Sequence, residues 1–102
     1  MDYLPDVQKY SPNADAAKVA AVVKYCGIAL QRRDSSMVST SDAKELATVR
    51  DGFAAKKLGL APDAAEAGMK AVAEKMKGDR SKNRVTFYYL LAEATNTLDK
   101  LT

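Results

Sequence analysis

Residues 84–101 read RVTFYYLLAEATNTLDKL, the densest run of large apolar and aromatic side chains in the chain. Phe87, Leu90, Leu91, Ala94, Leu98 and Leu101 recur at steps of three and four, which puts them on one face of an α-helix. Thr86, Tyr89, Glu93, Asn96 and Lys100 fall on the opposite stripe. The stretch therefore predicts a central helix over 84–101 with one face buried and the other wet. Of the two adjacent tyrosines, Tyr89 is expected at the surface.

Working upstream, Ser81 is the expected cap of that helix and residues 79–81 the turn before it. Pro62 suits a first helical position, Asp63 and Glu66 suit the positive end of the dipole, and Gly78 suits a stop, so a helix is predicted over 62–77. Ala65, Met69, Val72, Ala73 and Met76 lie on its apolar face. Glu66, Lys70 and Glu74 form an i,i+4 ladder on its wet one. The preceding helix starts at Ser41 or Asp42, with Glu45 at capping-box spacing, and buries Leu46, Val49, Phe53, Ala54 and Leu58. Gly59 ends it in a left-handed cap that folds Leu60 back. Gly52 in its middle costs about 1 kcal/mol relative to alanine and marks an alternative break near Asp51.

Residues 31–41, QRRDSSMVSTS, break the periodicity, because clustered serines bond their own backbone in competition with helix. This is an ordered link anchored by Met37 and Val38. Before it, residues 14–30 predict a long helix with Ala16, Val19, Ala20, Val23, Cys26, Gly27 and Leu30 on one face. Residues 2–10 predict a short opening helix capped by Asp2, with Pro5 tolerated in its first turn. Together these elements predict an all-α single domain spanning 1–102, a compact bundle of four main helices plus a short N-terminal one.

With 102 residues the chain can bury a core without disulfides or a structural metal. Its single cysteine, Cys26, cannot form an internal bridge, and with no histidine there is no zinc-binding pattern. No run reaches the roughly 20 apolar residues of a membrane span, and the first fifteen residues lack the apolar segment of a signal peptide. A cytoplasmic protein without cofactor, metal or membrane association is expected.

No pair of carboxylates is placed for acid–base catalysis, since the glutamates fall on polar stripes and the aspartates at helix starts and turns. Cys26 on an apolar face reads as a buried, inert thiol. Single scattered glycines make no phosphate loop. Met69 and Met76 could line an adaptable groove, although core filling is the commoner use of such a pair. Net charge is +3, but Lys70 to Arg84 holds six cations against two anions. There Lys82 and Arg84 add positive charge to a helix end that the backbone dipole already makes positive. A bound anion would relieve this, so Lys77, Arg80, Ser81, Lys82 and Arg84 are the candidate anion-binding residues, with an internal carboxylate partner as the competing explanation. The helix–turn–helix connectivity does not extend to reading base sequence, because Phe87, Leu90 and Leu91 follow at once. A non-catalytic domain acting through protein–protein interaction is expected; the alternative is binding of phosphate or a nucleic-acid backbone by the basic helix start.

SDAKELATVRDGFAAKKLGL (41–60) and KMKGDRSKNRVTFYYLL (75–91) resemble the two signature blocks of a small bacterial family known as domain of unknown function 2853. Glu45-Leu46, Thr48-Val49, Phe53, Lys56 to Leu60, Arg84 and Phe87 to Leu91 carry the resemblance. A weaker match through Gly27, Asp34 and Val38 extends it over about the last three quarters of the chain. Ala54 and Ala55 depart from it, standing where bulkier apolar residues are expected. The resemblance implies a compact bacterial helical domain and brings no activity, substrate or site with it.

Overall fold

The computed structural model describes residues 3–27, 37–38, 40, 42–78 and 82–101, and everything in it is arranged about the aromatic helix. The order is α1 (Leu4–Gln8), α2 (Ala16–Cys26), α3 (Ala43–Thr48) running straight into a π-helical segment (Val49–Lys57), α4 (Pro62–Lys75) and α5 (Arg84–Ala94), followed by a 3-10 turn (Leu98–Leu101). This is the all-α arrangement of four main helices and a short opening one that the periodicities imply.

Helix α5 is packed against α1, α2, α4, the π-helical segment and the 3-10 turn. It has no wet face along most of its length: every residue from Arg84 to Ala92 is buried. The expected polar stripe is overturned at Thr86, 0% exposed, and Tyr89, 2% exposed. Both adjacent tyrosines face inward because the helix has neighbours on more than one side. The burial is tolerated because each polar atom has a partner. The Thr86 hydroxyl donates to the Asp6 carboxylate of α1. The Tyr89 phenol oxygen accepts from the Asp15 backbone N–H at 3.1 Å. Glu93 accepts from the hydroxyl of buried Ser11. Ala94, expected inside, is exposed.

The ends of α5 also differ from expectation. Its cap is Asn83, whose side chain accepts from the Val85 N–H at 2.9 Å, while Ser81 lies outside the described residues. The helix stops at Ala94 instead of running to Leu101. The Thr95 hydroxyl donates back to the Leu91 carbonyl at 2.8 Å, and Asn96 takes φ 59°, a left-handed conformation that asparagine adopts more readily than most residues. Leu101 regains the core through the 3-10 turn.

Tyr3 and Val7 bury the inner side of α1; Asp2 lies outside the described residues. In α2 the cap is Asp15, accepting from the Ala17 N–H at 2.8 Å, and the helix ends at Gly27, φ 49°. Val19 and Val22 are its buried residues, whereas Ala16 and Ala20 are exposed, so the inward face is rotated from the predicted one. Residues 28–30 of the predicted helix, and 31–36, 39 and 41 of the predicted link, lie outside the described residues. Its Val38 anchor is buried, and its N–H donates to the Lys82 carbonyl at 2.8 Å, beside an isolated antiparallel bridge between Met37 and Asn83.

Asp42 caps α3 by accepting from the Lys44 N–H at 2.9 Å. No break occurs at Gly52. The chain instead widens into the i→i+5 hydrogen bonding of the π-helical segment, still burying Val49, Phe53, Ala54 and Leu58. Gly59 then takes φ 70°, and the Leu60 N–H closes onto the Ala54 carbonyl at 2.9 Å. Gly59→Ala should accordingly destabilise by about 1 kcal/mol or more, since alanine is strained at positive φ. Gly52→Ala should stabilise by about 0.4–1 kcal/mol, for a methyl there meets nothing within 4 Å. Urea titration of both variants checks the pair of signs.

In α4, Ala65, Met69 and Val72 face inward as predicted, followed by buried Met76. Gly68 sets how near this helix comes to α5: a Cβ there would sit 2.6 Å from Thr95 Cγ2 and 2.8 Å from Leu91 Cδ1. On its outer face the predicted ladder does not form. Glu66 pairs with Arg50 at 2.7 Å and Glu74 with Lys77 at 2.9 Å.

Candidate functional site

Arg84 is the first of the sequence-predicted site residues that the fold redirects. From the first turn of α5 its guanidinium points into the protein, and the residue as a whole is only 7% exposed. Nη1 donates to the Tyr88 phenol oxygen at 2.8 Å; Nη2 donates to the Glu45 carboxylate of α3 and to the Met37 carbonyl at 3.3 Å. Burial works against its charge, yet the contacts with Tyr88 and Glu45 outweigh burial and hold its pKa above the ordinary value. The carboxylate that offsets the helix dipole is thus internal, from Glu45, which turns to Arg84. Arg84 ties α3, the Met37 backbone and α5 together.

Around this ion pair lies an aromatic stack. Phe53 stacks on Tyr88 with ring centroids 4.1 Å apart, and Tyr25 meets Phe53 edge-on at 5.2 Å. Burial pushes the Tyr88 phenol up, with Arg84 pulling the other way. The nearby Cys26 thiol is pushed up to about 11 by burial, again opposed by Arg84. It stays protonated at neutral pH, which makes it a poor nucleophile.

Of the other candidates at the basic corner, Lys77 and Lys82 are among the described residues, and each is engaged within the fold. Lys77 is exposed and pairs with Glu74 at 2.9 Å. Lys82 is half-buried and engaged in the fold, and its carbonyl holds Val38. Arg80 and Ser81 lie outside the described residues. Among the described residues no group of three or more acidic or cysteine side chains converges as a metal site.

A concavity among the described residues lies elsewhere, between α3 and α4. A groove of about 400 Å³ is lined by Thr40, Ala43, Leu46, Ala47 and Arg50 on one side and Glu66, Met69, Lys70 and Ala73 on the other. Its floor is apolar. Leu46, expected in the core, is only half-buried because it lines this groove. Ala43, Ala47 and Ala73 create the space, being too short to fill the gap between helix axes. Of the two methionines, Met69 reaches the groove while Met76 is fully buried. The signal available in the sequence was the run of alanines facing a methionine, which periodicity alone reads as core.

The family model for protein of unknown function DUF2853 matches residues 2–99. The chain belongs to that family. The DUF2853 match takes in α1 and α2 as well as the two blocks at 41–60 and 75–91, so the groove, the Arg84–Glu45 pair and the Gly59 cap all fall within it. No curated protein matches this DUF2853 chain. Among its described residues no helix is long and apolar enough to cross a membrane.

Proposed function

We propose that this DUF2853 protein is a non-catalytic interaction module, working in the cytoplasm, that holds a protein partner in the groove between α3 and α4. The observation that carries this is the groove itself: about 400 Å³ of open, mostly apolar concavity on a molecule whose other large apolar side chains are largely buried. Among the described residues Tyr25 is the one large apolar side chain classed as exposed, and its ring is tied into the Phe53 stack. The non-catalytic reading is supported by how the polar groups are used. Asp15, Asp42 and Asn83 cap helices, while Asp6, Glu45, Glu66, Glu74 and Glu93 accept hydrogen bonds or pair with cations. Phosphate or nucleic-acid backbone binding at the basic corner has less support, because Arg84 is committed to Glu45.

The test is a selection of helical peptides from a display library against the wild-type protein, followed by binding to Ala43→Trp. Ala43 is exposed on the groove wall, so the indole fills the groove without entering the core. Selected peptides should lose at least about tenfold in affinity for Ala43→Trp, at an unchanged melting temperature. A selection that yields no binder, or binders indifferent to Ala43→Trp, contradicts the proposal.

A further inference from the structure

On the surface of α4, Glu66, Lys70 and Glu74 are spaced so that Lys70 has a carboxylate one turn away on either side. The fold takes both away. Arg50 reaches across from the π-helical segment to Glu66 at 2.7 Å, and Lys77 takes Glu74 at 2.9 Å. Lys70 is left exposed on the groove wall, without an ion pair among the described residues. Arg50 and Glu66 offset each other, and Arg50 also holds Asp51 at 2.9 Å. Of the three charged residues that line the groove, Arg50, Glu66 and Lys70, Lys70 is thus the one without an ion pair among the described residues.

The two walls share one sequence spacing, with Arg50 continuing the α3 wall at the start of the π-helical segment. Ala43, Leu46, Ala47 and Arg50 stand at i, i+3, i+4 and i+7, and so do Glu66, Met69, Lys70 and Ala73. Each wall is thus one face of about two helical turns, roughly 10 Å long. A third helix with the same spacing of apolar side chains fits such a pair of ridges, the packing by which grooves between helices receive amphipathic segments.

Resting on the groove as the interaction surface, we infer that its occupant is an acidic amphipathic helix of a partner protein, two turns of apolar side chains on the alanine-lined floor and a flanking carboxylate on Lys70. Lys70 sets the charge preference of the groove. A partner with lysine or arginine at that position meets a like charge beside a desolvated surface, which suppresses the wrong partner more than it strengthens the right one.

The test selects helical peptides of random sequence against the wild type and measures them on three variants, using dodecanoate as a competing small apolar carboxylate. Enriched peptides should carry apolar residues at i, i+3 or i+4, and i+7 with an adjacent Asp or Glu. They should weaken by about threefold to tenfold on Lys70→Glu, the range expected for reversing one partly exposed charge pair. Changing the peptide carboxylate to lysine should restore binding to Lys70→Glu. Lys77→Glu should leave affinity within about twofold, since its charge is offset by Glu74. Binders that are lost on Ala43→Trp but indifferent to Lys70→Glu would overturn the charge assignment and leave the groove as the interaction surface. Binders indifferent to both variants would remove the groove as well. A groove that takes dodecanoate and no peptide would replace the helical partner by a small apolar acid.

Discussion

Glu45→Ala should destabilise the protein by about 3 kcal/mol, the lower end of the range for breaking a buried ion pair. The variant takes the carboxylate away from the Arg84 guanidinium, whose side chain is 8% exposed, while the Tyr88 phenol oxygen and the Met37 carbonyl stay in place. The lower end applies because the Glu45 side chain keeps 22% of its surface in water, so part of the lost interaction is replaced by solvent. The loss comes from removing the counter-charge of a buried cation rather than from the pair's net worth. Replacing both partners, with Glu45→Leu and Arg84→Met together, should accordingly be much milder than the sum of the two single changes. Urea titration of the two singles and the double decides it. Additive losses would mean that the two residues act independently, as solvated surface groups do.

Leu91→Ala should cost about 2–5 kcal/mol by lost burial and the cavity left behind. Leu91 is 0% exposed and packs against α4 with Gly68 opposite it. The neighbouring backbone cannot collapse far into the space, because the Thr95 hydroxyl is bonded to the Leu91 carbonyl and the Asn96 turn follows. Ala94→Ser, on the exposed end of the same helix, should change stability by less than about 0.5 kcal/mol. Equal small losses from both in urea titrations would contradict the placement of α5 at the centre.

Local chemistry was readable where its cause is local. Gly59 announced a left-handed cap because it follows an apolar stripe and precedes Leu60, and that is where φ 70° occurs. Val49, Phe53, Ala54 and Leu58, like Met69, Val72 and Met76, marked the buried faces of their helices by spacing alone. The central helix was legible as a helix but not in its surroundings. Periodicity assumes one buried face, and Thr86 and Tyr89 are hidden by partners from α1 and from the start of α2, 80 and 74 residues away in the chain. The carboxylate that meets Arg84, foreseen only as a competing explanation, could not be named for the same reason, since it lies 39 residues upstream. The change to π-helical hydrogen bonding at Val49 alters backbone pitch without altering which side chains are apolar, so nothing in the residue types signalled it. The groove was hidden because alanine is scored apolar whether it fills a core or leaves one unfilled.

The interaction surface is tested most directly by titrating isotopically labelled protein with a selected acidic helical peptide and following backbone amide shifts by NMR. The perturbations should concentrate at Ala43, Leu46, Ala47, Met69, Lys70 and Ala73, the two walls of the groove. They should leave Lys77 and Lys82 unmoved. Shifts centred on Lys77, Lys82 and the start of α5, with the α3 and α4 walls silent, would contradict the groove and return the function to the basic corner.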